Sequence, residues 1–167
     1  PNDPMVHNSW PWAASGLNFN VIRYADVLLM TAEANIELGN TADGISLINE
    51  VRNRAKNSTP VKHLTTGADA ANYKIEPYTT SGWSQSEART AVRFERRIEL
   101  ALEGHRWYDL LRWGQLQSTM SNYYTTESVR KDYLEGAVFT LNRDEFLPIP
   151  QSEIDLAPSL YTQNQGY

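Results

Sequence analysis

The segment from Arg93 to Gly114 constrains the fold most, because it combines charge and aromatic mass more densely than any other part of the chain. When its first half and the residues just before it are placed on a helix, one face is apolar. That face carries Ala91, Phe94, Ile98, Ala101 and Leu102. Gly104 interrupts the pattern, and a second apolar set then follows at helical spacing: Trp107, Leu110, Leu111 and Gly114. The spacing therefore predicts a helix, a bend at Gly104-His105 and a second helix that lies back on the first.

The carboxylates of this segment have two interpretations. Two of Glu95, Glu99 and Asp109 could form the acid/base pair of a glycosidase, whose carboxyl groups converge about 5–10 Å apart in a cleft. Alternatively, the carboxylates and arginines form ion pairs across the helical hairpin of this segment and hold its angle, since each carboxylate has an arginine three or four positions away, as Glu99 has Arg96. The abundance of arginines favours structural pairs, because a working general acid is more often isolated in an apolar pocket that raises its pKa. Arginines in such a cleft would count against catalysis.

A second strong helical pattern lies nearer the start of the chain. The residues from Asn20 to Leu38 keep helical apolar spacing with a nearly all-apolar middle at Val27–Met30, which is typical of a helix buried on several sides. Gly39 ends this helix, as glycine often does, and the residues from Thr41 to Lys56 form another. Together the two helices predict an antiparallel hairpin.

Charged side chains close to the apolar faces of these helices need partners, because an unpaired buried charge is costly. The residues that we expect in structural ion pairs are Arg23, Glu33, Glu95, Glu99, Arg106 and Asp109. None of these side chains is expected to hold a metal ion.

Aromatic side chains in the irregular segments are the candidate ligand contacts. They are Trp10, Trp12, Tyr73, Tyr78 and Trp83. The first two lie in the loop-like residues 1–19, and the others lie in the long connection 57–85, near whose end Ser84 and Glu87 match a capping box. Rings exposed on such loops can stack on the apolar faces of sugars, and loops carried on a rigid scaffold often carry function. The alternative is that these aromatics anchor the loops to the core, since Trp is mostly buried.

Composition and missing motifs exclude several classes of function. A net charge of −5 without a basic stripe argues against nucleic-acid binding. The absence of cysteine removes disulfides, thiol catalysis and thiolate metal sites. The sequence has no Gly-rich phosphate loop, no His-x-x-x-His pair and no nucleophile elbow, so we expect no cofactor. Its longest apolar runs fall far short of the ~20 residues that span a bilayer.

Three sequence blocks carry a family resemblance. The first block is Glu95–Gly114, the second is Arg23–Ala34 with Val51–Ala55 downstream, and the third is Leu147–Leu156 with a short match in the tail. In this order they closely resemble the SusD/RagB family, which comprises surface lipoproteins that capture nutrients, mostly glycans, for an outer-membrane transporter.

The resemblance implies an all-α fold of tetratricopeptide-like helical hairpins with long irregular loops and little β structure. We expect residues 1–167 to form a single domain that is the C-terminal portion of a longer protein. Its parts would be hairpins at about 20–56 and 86–117, a long loop at 57–85 and an irregular segment at 121–167. The lipid anchor of the full-length protein would then be absent from this chain. The blocks are scaffold motifs, so they transfer no ligand residue.

The resemblance also implies a function. The chain would belong to a non-catalytic protein at the surface of the cell outer membrane, which binds an oligo- or polysaccharide and delivers it to a TonB-dependent SusC-like transporter. The alternative is a helical-repeat scaffold that binds protein and no glycan. A hydrophobic groove lined by helix residues would favour the scaffold, whereas ring faces exposed on the loops would favour the glycan binder.

Overall fold

The structure is a computed structural model, which describes residues 20–167 and two short strands before them. The strands are β1 (Val6–His7) and β2 (Ala14–Ser15), and they pair antiparallel. Trp10 and Trp12 lie outside the described residues. The chain divides into two compact units, residues 1–99 and residues 100–167.

Three helices build the first unit, and they confirm the predicted all-α fold. These helices are α1 (Tyr24–Glu37), α2 (Thr41–Lys56) and α3 (Gln85–Glu99). α1 and α2 form the expected hairpin, and α3 packs against both of them. The three helices share one core, whose buried residues are Ala25, Leu29, Ala32, Ile36, Ile45, Ile48, Val51, Ala88, Ala91 and Val92.

Two glycines set the geometry of the hairpin. Gly39 has a φ of 88°, a conformation that side chains disfavour, and it ends α1 as the sequence predicts. Gly44 lies in α2 where the two helices come closest. A Cβ atom at this position would lie 2.5 Å from Cγ1 of Ile36 and 2.9 Å from the carbonyl oxygen of Ala32. The close contact between the helices therefore requires glycine at position 44.

α1 is less enclosed than its composition predicts. α2 and α3 cover one side of the helix, but an apolar outer face remains exposed among the described residues. This outer face comprises Tyr24, Val27, Met30, Ala34 and Leu38. Tyr24 is 72% exposed and Leu38 is 78% exposed. The expectation of burial on several sides is therefore wrong for the part of the chain that the structure describes.

α3 also faces the core differently from the sequence prediction. Its buried residues include Val92, Glu95 and Arg96, whereas Phe94 and Ile98 are about half exposed. The reason is that charged side chains of α3 point towards partners on α1 and α2, which turns the expected apolar face outward. The helix also ends at Glu99, before the predicted bend, where its terminal carbonyl accepts a hydrogen bond from Arg23 Nη2 at 3.0 Å.

The second unit is built from shorter elements. They are α4 (His105–Arg112), α5 (Leu116–Glu127), a 3₁₀ turn (Asp132–Leu134) and α6 (Gln151–Leu156). A small core joins Leu110, Leu116 and Phe139. The extended segment before α6 is held by the tail, because Gln163 exchanges two hydrogen bonds with the backbone of Ile149. No helix within residues 20–167 is long and apolar enough to cross a bilayer.

Candidate ligand-binding groove

Three aromatic side chains of the first unit line one open groove of about 430 Å³. Tyr78 and Trp83 come from the long connection before α3, and Phe94 comes from α3 itself. The Tyr78 and Trp83 rings meet edge to face, with centroids 5.2 Å apart and an interplanar angle of 69°. Phe94 is 51% exposed, so about half of its surface is open to solvent.

Tyr78 is held in place by two residues of α2. The Asn49 side chain donates to the Tyr78 carbonyl at 2.8 Å and accepts from the Tyr78 backbone N–H at 2.7 Å. The Arg52 guanidinium lies 4.2 Å from the centroid of the Tyr78 ring. The sequence did not predict this role for Asn49, because Tyr78 is 29 positions away and no short-range sequence pattern indicates such a contact.

Trp83, next to Tyr78, is fixed by contacts of its own. Its indole Nε1 donates to the carbonyl of Thr79 at 2.7 Å, and its ring packs against the core of the first unit. The next residue, Ser84, forms the predicted capping box, in which Glu87 Oε2 accepts from the Ser84 backbone N–H at 2.9 Å. Hydrogen bonds from Ser84 lower the pKa of Glu87, so this carboxylate at the groove is anionic at neutral pH.

The polar lining of the groove comes from one side of α3. Ser86, Glu87 and Thr90 lie there beside the aromatic rings. Thr90 donates its hydroxyl proton to the carbonyl of Ser86 at 3.0 Å, which leaves the oxygen of Thr90 available as an acceptor. The groove therefore combines apolar ring surface with acceptor oxygens.

Tyr73 lies away from this groove. It borders a separate cavity of about 300 Å³ together with Pro60, Val61 and Ile75. Its hydroxyl lies 3.4 Å from the carbonyl oxygen of Val61, and the side chain is 43% exposed. Of the predicted loop aromatics, the structure thus brings Tyr78 and Trp83 together and places Tyr73 elsewhere. Phe94 completes the groove, although the sequence pattern assigned it to the core face of α3.

The charged residues of the first unit bond across helices. Arg96 on α3 bonds Asp26 on α1 at 2.8 Å, with side chains that are 4% and 8% exposed. Glu95 accepts from Arg52 of α2, also at 2.8 Å. Glu33 of α1 is buried as well. The sequence predicted ion pairs across a hairpin within residues 93–114, whereas these bonds connect α3 to α1 and α2.

The Glu99 carboxylate forms ion pairs with two arginines. It accepts from Arg23 at 3.0 Å and from Arg54 at 2.7 Å. In the second unit, Asp109 is 4% exposed and accepts from Arg112 at 2.9 Å. The half-buried Arg106 has its guanidinium 5.9 Å from the ring centroid of Trp113. Glu95, Glu99 and Asp109 each bond an arginine, which is the arrangement that counts against a glycosidase pair.

Comparisons with known proteins match almost the whole chain. The model of the SusD family matches residues 5–167. The chain belongs to the SusD family. SusD-like protein P2 of Formosa agariphila is 34% identical over 92% of this chain and 26% of its own length. A SusD-like protein of Bacteroides ovatus is 30% identical over 87% of this chain and 29% of its own length.

Solved structures of the SusD family agree with this result. A SusD homolog from Bacteroides thetaiotaomicron superposes with a TM-score of 0.69 at 31% identity, covering 93% of this chain and 28% of that one. A SusD superfamily protein from Bacteroides vulgatus gives a TM-score of 0.60 at 32% identity. The chain spans about a quarter of the length of the curated relatives that it matches.

In this SusD family chain, the sequence blocks that carry the resemblance and the groove are separate sets of residues. The paired charges of the first unit that lie in the sequence blocks carrying the resemblance are Arg23, Asp26, Arg52, Arg54, Glu95, Arg96 and Glu99. Tyr78 and Trp83 lie outside these blocks. The blocks therefore hold the helices together, and the groove is built by the connection before α3 together with the part of α3 that precedes Glu95. No group of three metal-binding side chains converges within the part of the chain that the structure describes.

Glu95 gives the first unit a pH dependence of known sign. Burial raises the pKa of Glu95 above its ordinary value of 4.5 and outweighs the opposing effect of Arg52. A raised pKa means that the folded protein favours the protonated form of Glu95. This contribution to stability is fully present below the unfolded-state pKa, and it is lost as the pH rises through the raised folded-state pKa. We expect the wild type to lose stability relative to the Glu95→Gln variant over the pH range that begins near the ordinary pKa of 4.5 and extends upward through the raised folded-state pKa.

Urea denaturation of both proteins across this pH range checks the prediction. Glu87→Gln is the control of opposite sign, because the pKa of Glu87 is lowered and its stabilisation is lost as the pH falls. A wild-type advantage over Glu95→Gln that grows with rising pH would contradict the assignment.

Proposed function

We propose that this SusD family chain is part of a non-catalytic surface protein that captures a glycan at the cell outer membrane. The bound oligo- or polysaccharide would be delivered to a TonB-dependent SusC-like transporter. The observation that carries the proposal is the open groove in which Tyr78, Trp83 and Phe94 present aromatic surface beside acceptor oxygens. Family membership supports the same role.

The chemistry of this groove suits a sugar. A sugar ring has an apolar C–H face that packs against an aromatic ring, and its hydroxyl groups donate hydrogen bonds from the ring edge. Glu87 and Thr90 supply acceptors at the groove, while Phe94 and Trp83 supply apolar surface. A volume of about 430 Å³ falls within the range of small-molecule sites. The protein would bind the ligand by shape and hydrogen bonding without changing it.

The positions of the carboxylates also favour a non-catalytic binding protein over a glycosidase. Glycoside hydrolysis ordinarily needs two carboxyl groups on either side of the scissile bond. Among the described residues that line the groove, Glu87 is the one carboxylate, and it is engaged in the capping box. Glu95 and Glu99 are bonded to arginines that connect the helices.

A protein-binding scaffold remains the second candidate because α1 exposes an apolar outer face. That face carries Tyr24, Val27 and Leu38, and it has no residue in common with the groove. A scaffold that used this face would bind its partner whether or not Phe94 were present. Substitution of Phe94 therefore separates the two functions.

Phe94→Ala is expected to weaken glycan binding by about tenfold or more, which corresponds to about 1.4 kcal/mol. The physical reason is the loss of a half-exposed ring that contributes little to the core. Affinity electrophoresis through gels that contain starch, xylan, laminarin or pectin would measure the change. Selective retardation by one polysaccharide, reduced in the variant, is the expected result.

Tyr133→Ala is the matched control, because Tyr133 is 76% exposed in the second unit and lies outside the groove. Circular dichroism would establish that both variants fold. Retardation that is equal in wild type and Phe94→Ala would contradict this groove as the glycan site. A folded wild type that no polysaccharide retards would contradict glycan binding by this chain.

A further inference from the structure

The second unit contains a groove of about 410 Å³ between α5 and the segment that follows the 3₁₀ turn. One wall carries Ser121 and Thr125 of α5 and Ser128, the residue directly after this helix, and the three follow one another at helical spacing. The other wall includes Val138 and Phe139. The groove therefore has a hydroxyl wall and an apolar wall.

The hydroxyl wall is arranged to accept hydrogen bonds. Thr125 Oγ1 donates to the carbonyl of Ser121 at 2.9 Å, and Ser128 Oγ donates to the carbonyl of Thr125 at 3.3 Å. A hydroxyl whose proton is used in this way still has oxygen lone pairs for a second partner. A ligand that donates hydrogen bonds from closely spaced hydroxyl groups matches this wall.

The apolar wall is firmly supported. Phe139 is 4% exposed and belongs to the small core of the second unit, against which Tyr124 also packs. Because Phe139 is almost fully buried, it supports the wall from the core, and the apolar surface that a ligand can reach there comes from Val138, which is 73% exposed. A ligand with one apolar face and one hydroxyl-bearing edge would contact both walls at once.

The residues that line this groove also disfavour a charged ligand. All of its described residues are uncharged, so an ionic ligand would lose hydration without gaining a counter-charge. The charged residues near the end of α5, Glu127 and Lys131, bond each other at 3.4 Å. A neutral ligand is therefore favoured over a uronic acid or a sulfated sugar.

We infer that the second unit carries a second glycan-binding groove, specific for a neutral sugar. The inference rests on the proposed glycan-binding function, and it assigns a site that shares no residue with the groove of Tyr78, Trp83 and Phe94. Two sites on one chain would bind a polymer more tightly than either site alone, because the second contact is intramolecular.

The test is a titration of the ¹⁵N-labelled chain with neutral oligosaccharides, followed by ¹H–¹⁵N correlation spectra. The probes are maltohexaose, xylohexaose, laminarihexaose and mannohexaose, with hexagalacturonate as the acidic comparison. One neutral probe is expected to shift the backbone amides of Thr125, Ser128 and Val138 in a saturable manner. Hexagalacturonate is expected to leave these amides unchanged, and equal binding of it would overturn the assignment to a neutral sugar.

Variants of the hydroxyl wall sharpen the test. The double variant Ser121→Ala/Thr125→Val removes two acceptors from exposed positions of α5 and is expected to weaken binding at this groove about tenfold or more. Thr126→Val is the matched control, because Thr126 is exposed on the same helix and is not part of the groove. Equal affinity of the double variant and the control would overturn the inference.

The position of the shifts separates this inference from the proposed function. Saturable shifts confined to the Trp83 indole and the amides around Phe94 would overturn the second groove and support the first. Shifts confined to α5 and Val138 would support the second groove and contradict the first. A folded chain in which no probe shifts either set would overturn both.

Discussion

Replacing Arg96 by methionine is expected to lower the free energy of unfolding by about 3–5 kcal/mol. Arg96 and Asp26 form a 2.8 Å ion pair in which both side chains are less than a tenth exposed. Methionine fills much of the space but leaves the Asp26 carboxylate buried without this cation. The cost of an uncompensated buried charge is much larger than the net contribution of the pair itself. Urea denaturation followed by far-UV circular dichroism would measure the loss.

Two further variants test this explanation. Asp26→Leu combined with Arg96→Met is expected to recover most of the lost stability, since buried ion pairs can be replaced by apolar side chains at little cost. Arg89 lies on α3, as Arg96 does, and bonds Glu37 of α1 with side chains that are 32% and 43% exposed, so Arg89→Met is expected to cause a much smaller loss. If Arg96→Met were no more destabilising than Arg89→Met, the buried pair would not be what connects α3 to α1.

Gly44→Ala is expected to destabilise the protein by about 1–3 kcal/mol. Helix propensity alone predicts the opposite, because alanine stabilises a helix interior by about 1 kcal/mol relative to glycine. The contact between α1 and α2 decides the sign. The new Cβ would lie 2.9 Å from the backbone oxygen of Ala32, which cannot move without displacing α1, and 2.5 Å from a side-chain carbon of Ile36.

Ser46→Ala separates the two contributions. Ser46 is exposed on the same helix, two positions further on, so only the propensity changes there. We expect a small gain in the midpoint of thermal unfolding for Ser46→Ala and a clear loss for Gly44→Ala. A gain of similar size in both variants would mean that the helices separate easily at Gly44.

Local signals in the sequence determined the helices and the family. Apolar spacing placed α1 and α2 within a few residues of their observed ends, and Gly39 ended α1 as expected. The capping box of Ser84 and Glu87 started α3 where the sequence placed it. These features depend on residues within one or two helical turns, so they are visible without any knowledge of the tertiary structure. The three blocks of scaffold residues were sufficient to predict the family.

The tertiary structure alone decided which charges pair and which rings are exposed. Glu99 has arginines nearby in the sequence, yet it bonds Arg23, which is 76 positions away, and Arg54 of α2. Spacing along one helix cannot predict which arginine pairs with a given carboxylate. The pairing depends on which carboxylates are desolvated when the helices pack, because a buried charge needs a partner. Pairing across helices turned the charged side of α3 inward. That rotation exposed Phe94 beside Tyr78 and Trp83, and so it created the groove.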